Sequence, residues 1–293
     1  KIIKIIKSTR VLIFTSSDYW APASRIRGFY LGEYLSRNGF IVNVFSYTAI
    51  RRSFMKRTIH LLNDFLLKIW AVMHSKEDKP VIYIQRGICS VPLVSLTFTM
   101  ISKYIFRRKV IYDLDDGLFL RTPFEINRLL KLSDFVVVGG HELLRYTQKF
   151  NPKLLFIPTS ANFSLYSTKQ RKKRSKEVIL GFVGSPSTIY YLTLLLNPLQ
   201  RLAMRYDYTL RIVAARTRED YKKFNWLLTK FKDGGIQVET IPYSVKSEPK
   251  LLSELDIGLA PLFPGIWEKY KCGFKVINYM AAGIPPVASN YGE

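Results

Sequence analysis

The sequence predicts an α/β protein built from two doubly wound, Rossmann-like domains that face one another across a cleft. Three observations lead there. Short apolar runs alternate with stretches of helical spacing along most of the chain, and near-continuous apolar strands are the mark of parallel sheets covered on both faces. A polar, strongly charged stretch, STKQRKKRSKE at 167–177, interrupts the alternation, which then restarts. The chain has 293 residues, 48% of them apolar, enough for two cores of moderate size.

In the first half, RVLIFTS (10–16) is an apolar run bounded by polar residues, a buried-strand pattern. A helix is predicted over 24–38, stopped by Asn38-Gly39, and FIVNVFS (40–46) is the second strand. Residues 53–73 repeat Ile59, Leu62, Phe65, Leu66, Ile69, Val72 and Met73 at helical spacing. Strands follow at 81–85, 109–114, 134–139 and 154–158, with helices in most of the gaps. In the second half, strands are predicted at 178–184, 209–215, 236–242, 256–262 and 285–289, and helices at 188–206, 218–231 and 247–255. A further helix lies within KCGFKVINYMAAGIPPVAS (271–289), with Val276, Ile277 and Met280 inward and Gly283 as its stop. The domains are thus 1–166 and 178–293, joined by a basic linker at 167–177. The other reading of that stretch is a nuclear-localisation or nucleic-acid tract.

Composition narrows the partners. Lys and Arg number 45 against 22 Asp and Glu, a formal charge of +23, which favours anions: nucleic acid, phosphorylated small molecules or an anionic membrane. Cys89 and Cys272 make no disulfide framework, and His60, His74 and His141 have no ligand spacing, so no metal site is expected. The opening KIIKIIKSTRVLIF is broken by Lys4, Lys7 and Arg10 and is a poor signal peptide. Gly87–Ser102 is too short for a membrane span and contains Pro92. The 51–73 stretch sets Arg51, Arg52, Lys56, Arg57 and Lys68 beside a wide apolar stripe with Trp70. Such a helix fits an anionic interface, or equally a sheet-packed helix with a basic outer face.

Strand-to-helix junctions carry the candidate chemistry. In GFVGSPST (181–188), Gly184 and Ser185 allow close backbone approach and open a helix whose N–H groups suit phosphate; an ordinary Ser/Thr cap gives the same pattern. Lys271 and Lys275 flank the first turn of the 271–289 helix, where cations oppose the helix dipole unless an anion lies between them. In YDLDDG (112–117), Asp113, Asp115 and Asp116 cluster at a strand end, as bases, hydroxyl acceptors, Mg²⁺ ligands or turn-forming residues. Arg25 and Arg27 stand at the first loop-to-helix junction, with a surface role equally open to each.

KCGFKVINYMAAGIPPVAS, preceded by DIGLAPL and the Trp267 turn, resembles the nucleotide-sugar signature of retaining family-4 glycosyltransferases of GT-B fold. VIYDLDDG, FIPTS, GFVGSPSTIYYL and ASRIRGFYLGEYL look like further segments of one bacterial branch, in the same order along the chain. The resemblance implies sugar transfer with retention, without a metal or other cofactor, from a nucleoside diphosphate sugar to a cell-surface polysaccharide or glycolipid. It places the protein in the cytoplasm, at the inner face of the membrane. Lys275 and Lys271 would neutralise the donor diphosphate, with Gly184, Ser185, Gly273 and Phe274 around it. Asn278 would meet the ribose hydroxyls where the family has a glutamate, Tyr270 stands at the other family glutamate, and Arg216 substitutes for an absent Arg/Lys pair. Asp115 and Asp116 would be catalytic, and Arg25 and Arg27 would lie on the acceptor side. Relatives continue beyond the VAS-x-x-G turn, so the second domain is expected to be incomplete at Glu293, with an exposed apolar sheet edge. A non-catalytic GT-B scaffold and a basic nucleic-acid-binding protein are the alternative readings; no nucleic-acid motif supports the latter.

Overall fold

The computed structural model describes residues 9–49, 53–75, 79–91, 93–166, 177–215, 217 and 219–293. The basic stretch 167–176, Arg51, Arg52, Pro92 and Arg216 lie outside the described residues. The chain forms two compact units. The first runs to Thr159 and includes Tyr270–Cys272 and Glu293; the second holds Ser160–Lys269 and Gly273–Gly292.

The first unit is a parallel sheet of β1 (Arg10–Thr15), β2 (Ile41–Ser46), β3 (Val81–Gln85), β4 (Val110–Leu114), β5 (Phe135–Val138) and β6 (Leu154–Phe156). Their order is β2-β1-β3-β4-β5-β6, with every neighbouring pair parallel. The chain winds outward from β1 to β2 and then returns to β3 on the other side. The switch point therefore lies between β1 and β3, where α/β sheets open a crevice at their carboxyl ends. Leu12, Phe14, Ile82, Ile84 and Tyr112 fill one face with Val72 and Phe98; Val11, Ile13 and Tyr83 fill the other with Leu31 and Leu35. Burial on both faces explains why these strands are apolar without alternation.

The second unit is a parallel sheet of β7 (Val178–Val183), β8 (Tyr208–Val213), β9 (Gln237–Thr240), β10 (Ile257–Ala260) and β11 (Pro286–Ala288) in the order β11-β10-β7-β8-β9. Its switch point lies between β7 and β10. The strand β11 forms one edge, and Val287 is exposed on it.

The helices depart from expectation in detail. The 24–38 helix contains a π-helical stretch, Arg25–Tyr30, before the regular helix Leu31–Arg37. This segment presses close to the sheet: a Cβ on Gly28 would lie 2.4 Å from Thr15 Cγ2. The 188–206 helix is a 3₁₀ stretch, Pro186–Leu195, followed by an α-helix, Leu196–Ala203. Pro198 has no N–H to donate and fits only the first turn, so the α-helix starts afresh beside it. The 218–231 helix divides likewise into Glu219–Phe224 and Asn225–Asp233. Met280 is exposed rather than inward, because Tyr279 takes the sheet-facing position of the helix Phe274–Ala281. The Tyr279 ring occupies the space a side chain on Gly258 would need. Its hydroxyl accepts from Val183 N at 2.9 Å and lies 3.2 Å from the Gly181 and Leu259 carbonyls.

Candidate functional site

The predicted site residues, Arg216 apart, fall into two groups near the carboxyl ends of the strands, one in each unit. In the first unit, Arg27 is buried and forms a fork with Asp113, Nε to Oδ2 at 2.8 Å and Nη2 to Oδ1 at 2.7 Å. Its Nη1 donates to Ile157 O at 3.1 Å and Thr159 Oγ1 at 3.2 Å, so one guanidinium ties the ends of β4 and β6 together. Burial lowers the Arg27 pKa, but the charge and hydrogen bonds of Asp113, with Asp115 behind, more than restore it and keep the group charged. Arg25 is buried as well, its Nη1 near Tyr19 O and Trp20 O at 3.5 and 3.4 Å. A surface role is thereby removed for both arginines.

A second fork was not legible in the sequence. Arg86 follows β3 and holds Asp115, Nε to Oδ1 at 2.5 Å and Nη2 to Oδ2 at 3.1 Å, and reaches Asp116 Oδ2 at 3.3 Å. Its φ of 62° is rare for a side chain of this size, a strained conformation that the Tyr112 hydroxyl secures by donating to Arg86 O at 2.9 Å. Burial raises the Asp115 carboxyl, and the charge and hydrogen bonds of Arg86 overcome it, leaving its pKa below the usual range. Asp116 is less enclosed; burial raises it above the usual range against the pull of Arg86 and Lys271. Lys271 belongs to this unit, on the Asp116 side. The aspartate cluster thus has its own counter-charges. The only sequence signal for Arg86 was a charged residue at the carboxyl end of an apolar strand.

In the second unit, Lys275, Gly184 and Ser185 come together at the end of β7. Lys275 Nζ lies 4.0 Å from the Phe182 ring centroid and 3.4 Å from Thr188 Oγ1. A Cβ on Gly184 would meet Lys275 Nζ at 3.0 Å, so the glycine makes room for the cation. Ser185 caps the following 3₁₀ stretch, with Thr188 Oγ1 accepting from Ser185 N at 3.1 Å. Gly273, at φ 57°, turns the chain into the helix that Phe274 begins. Asn278 is buried, and its Nδ2 donates to Glu248 Oε1 at 3.4 Å. That contact orients the amide and leaves Oδ1 buried without a hydrogen-bond partner. Glu248, itself buried and accepting from Tyr243 OH at 2.9 Å, is another residue that sequence spacing missed. So is Glu268, buried beneath the hydroxyls of Tyr190 and Tyr191.

No protein-family model matches this sequence, and no curated protein matches it either. Solved structures do. HepE of Anabaena, crystallised with UDP and glucose, is 15% identical with a TM-score of 0.64, over 97% of this chain and 81% of its own. A glycosyltransferase of Rickettsia africae is 14% identical with a TM-score of 0.65, over 97% of this chain and 79% of its own. An alpha-glucosyltransferase bound to UDP-glucose and DNA with an abasic site is 12% identical with a TM-score of 0.62, over 95% of this chain and 79% of its own. At such identities the similarity establishes the fold: two parallel-strand sheets flanked by helices, the α/β fold of these GT-B glycosyltransferases.

Proposed function

We propose that this chain is a retaining, metal-independent glycosyltransferase. It takes a nucleoside diphosphate sugar and glycosylates a cell-surface polysaccharide or lipid-linked acceptor at the cytoplasmic face of the membrane. The observation that carries the reading is the Lys275 ammonium beside Gly184 and Thr188 at the switch point of the second sheet. A cation beside small residues at the carboxyl end of a strand suits a diphosphate.

In this reading the bond between the anomeric carbon and the diphosphate oxygen breaks, and the electron pair leaves on the diphosphate. Lys275 and Lys271 stabilise that charge, with Ser185 and the Gly273–Phe274 turn beside it. The acceptor oxygen bonds to the anomeric carbon from the same face and gives its proton to the departing phosphate oxygen. The unpartnered Asn278 Oδ1 accepts from a ribose hydroxyl, and Arg216 completes the donor side. Asp116, the least enclosed carboxylate of its cluster, faces the acceptor; Asp115, Arg25 and Arg27 hold that wall in shape.

HepE and the alpha-glucosyltransferase carry UDP or UDP-glucose, which makes UDP-sugars the first donors to test. The experiment is release of nucleoside diphosphate across a donor panel with lipid-linked and glycan acceptors. Turnover that survives EDTA and gives a product of unchanged anomeric configuration supports the retaining, metal-independent transfer. Neither binding nor turnover with any donor removes it in favour of a non-catalytic scaffold.

A further inference from the structure

The helix Phe54–His74 has two apolar stripes. Leu61, Phe65, Ile69 and Val72, spaced four, four and three residues, pack on the first sheet's core. Met55, Ile59, Leu62, Leu66 and Trp70, spaced four, three, four and four, form a second stripe around the helix, and each is more than half exposed. One stripe is enough to hold a helix on a sheet. Beneath it the buried stripe meets the next helix, Val94–Met100, through Phe65 and Phe98, whose ring centroids lie 6.4 Å apart. Met100 and then Tyr104 and Ile105 are exposed there. An exposed apolar stripe four turns long, with further exposed apolar residues near the next helix, marks an interaction site.

We propose that this surface docks on an anionic lipid bilayer, the apolar stripe entering the acyl boundary and flanking cations meeting the headgroups. Charge selects the occupant. Lys56 and Arg57 are exposed at the start of the stripe, and Arg107 is exposed beyond the second helix. The single carboxylate of the helix, Asp64, is turned to the buried Lys68 Nζ at 2.7 Å. From Lys79 to Tyr112 the sequence contains no Asp or Glu. Among the described residues of the two helices the surface therefore offers apolar area and positive charge with no exposed acid, the composition of a helix lying in an anionic interface; Glu77 and Asp78, between the helices, lie outside the described residues. A second copy docking through the same helix would bring it only Asp64, already held by Lys68. This rests on the membrane placement proposed above and gives it a surface; vesicle binding is read apart from sugar transfer, since a chain without activity would dock equally well.

The test is flotation of the purified chain with phosphatidylcholine vesicles, with and without phosphatidylglycerol. The expected result is binding to the anionic vesicles alone, weakened by salt. The variant Ile59→Gln/Leu66→Gln/Trp70→Gln alters exposed positions only and should melt as the parent does, while losing on the order of tenfold or more in partitioning. Lys56→Gln/Arg57→Gln should lose about tenfold and flatten the salt dependence. Equal binding to neutral vesicles, or a triple variant that floats like the parent, overturns the proposal. So does a parent chain that ignores vesicles but forms a dimer the triple variant dissociates, which would assign the surface to a second copy.

Discussion

Both sheets place charged side chains at their switch points, and they use them in opposite ways. In the first unit the charges answer one another: Arg27 is taken up by Asp113, and Arg86 by Asp115 and Asp116. In the second, a lysine packs on the Phe182 ring beside a glycine and a threonine, and the buried Asn278 Oδ1 is unbonded, as is Gln85 Oε1 at the end of β3 in the first unit. Buried polar groups left unmade cost stability, and each unit carries one near its strand ends, so an orphaned oxygen does not by itself tell the two apart. What differs is how the charges are matched: carboxylates hold both guanidiniums of the first unit, and the lysine of the second lies on an aromatic ring among small residues.

The largest expected effect tests the self-sufficient side. Arg27→Met leaves Asp113 without its counter-charge at zero exposure, and removing one partner of such a pair costs about 3–5 kcal/mol. Thermal or urea unfolding should show it directly. Arg27→Met with Asp113→Leu should recover most of that loss, because a buried pair replaced by apolar groups is often neutral. If the single variant melts like the parent, the fork is not the structural clamp described here.

The next effect lies on the other side. Lys275→Ala should leave unfolding nearly unchanged while turnover falls by roughly 10²–10³-fold, the scale of losing one preorganised charge on a leaving group. A large loss of stability without a selective loss of turnover would make Lys275 part of the packing on Phe182, and the contrast between the units would disappear.

A smaller effect belongs to Asn278. Asn278→Ala removes the orphaned oxygen and should weaken donor binding by about tenfold, measured calorimetrically, with kcat little altered. Asn278→Glu is the sharper probe. It sets a second carboxylate beside buried Glu248, which disfavours both being charged, so donor binding should acquire a pH dependence beyond that of the parent.

The contrast also shows what could be read beforehand. The strands were legible because parallel strands buried on both faces are continuous apolar runs, visible in any short window. Helix interiors were less so: Pro198 restarts one helix, and Tyr279 displaces Met280 from the inner face, a choice made by Gly258 on another strand. At the sites, residue types were legible and partners were not. Three aspartates in six residues are conspicuous, but nothing local says that Arg86, about thirty residues earlier, will meet them. Likewise Glu248 meets Asn278 across thirty residues, and only the sheet order brings them together.

The smallest effect supplies a control at the opposite, amino end of the strands of the first sheet. Asp134 precedes β5, accepts from Val110 N at 2.9 Å, and lies 3.3 Å from Lys103 and Lys109, the latter largely exposed. Burial raises this carboxyl, and the Val110 N–H with the two lysines outweighs it, so the folded pKa lies below the ordinary value. A depressed carboxylate contributes stability above its unfolded pKa, about 3.9, and that contribution is lost as pH falls through the folded value. Exposed lysines are screened, so Asp134→Asn should cost no more than about 1 kcal/mol at neutral pH. The difference between variant and parent should shrink toward zero below about pH 4 and narrow with salt. A cost as large as that of Arg27→Met, or one that persists at low pH, would mean that position in the sheet, rather than enclosure, sets what a charge pair is worth in this protein.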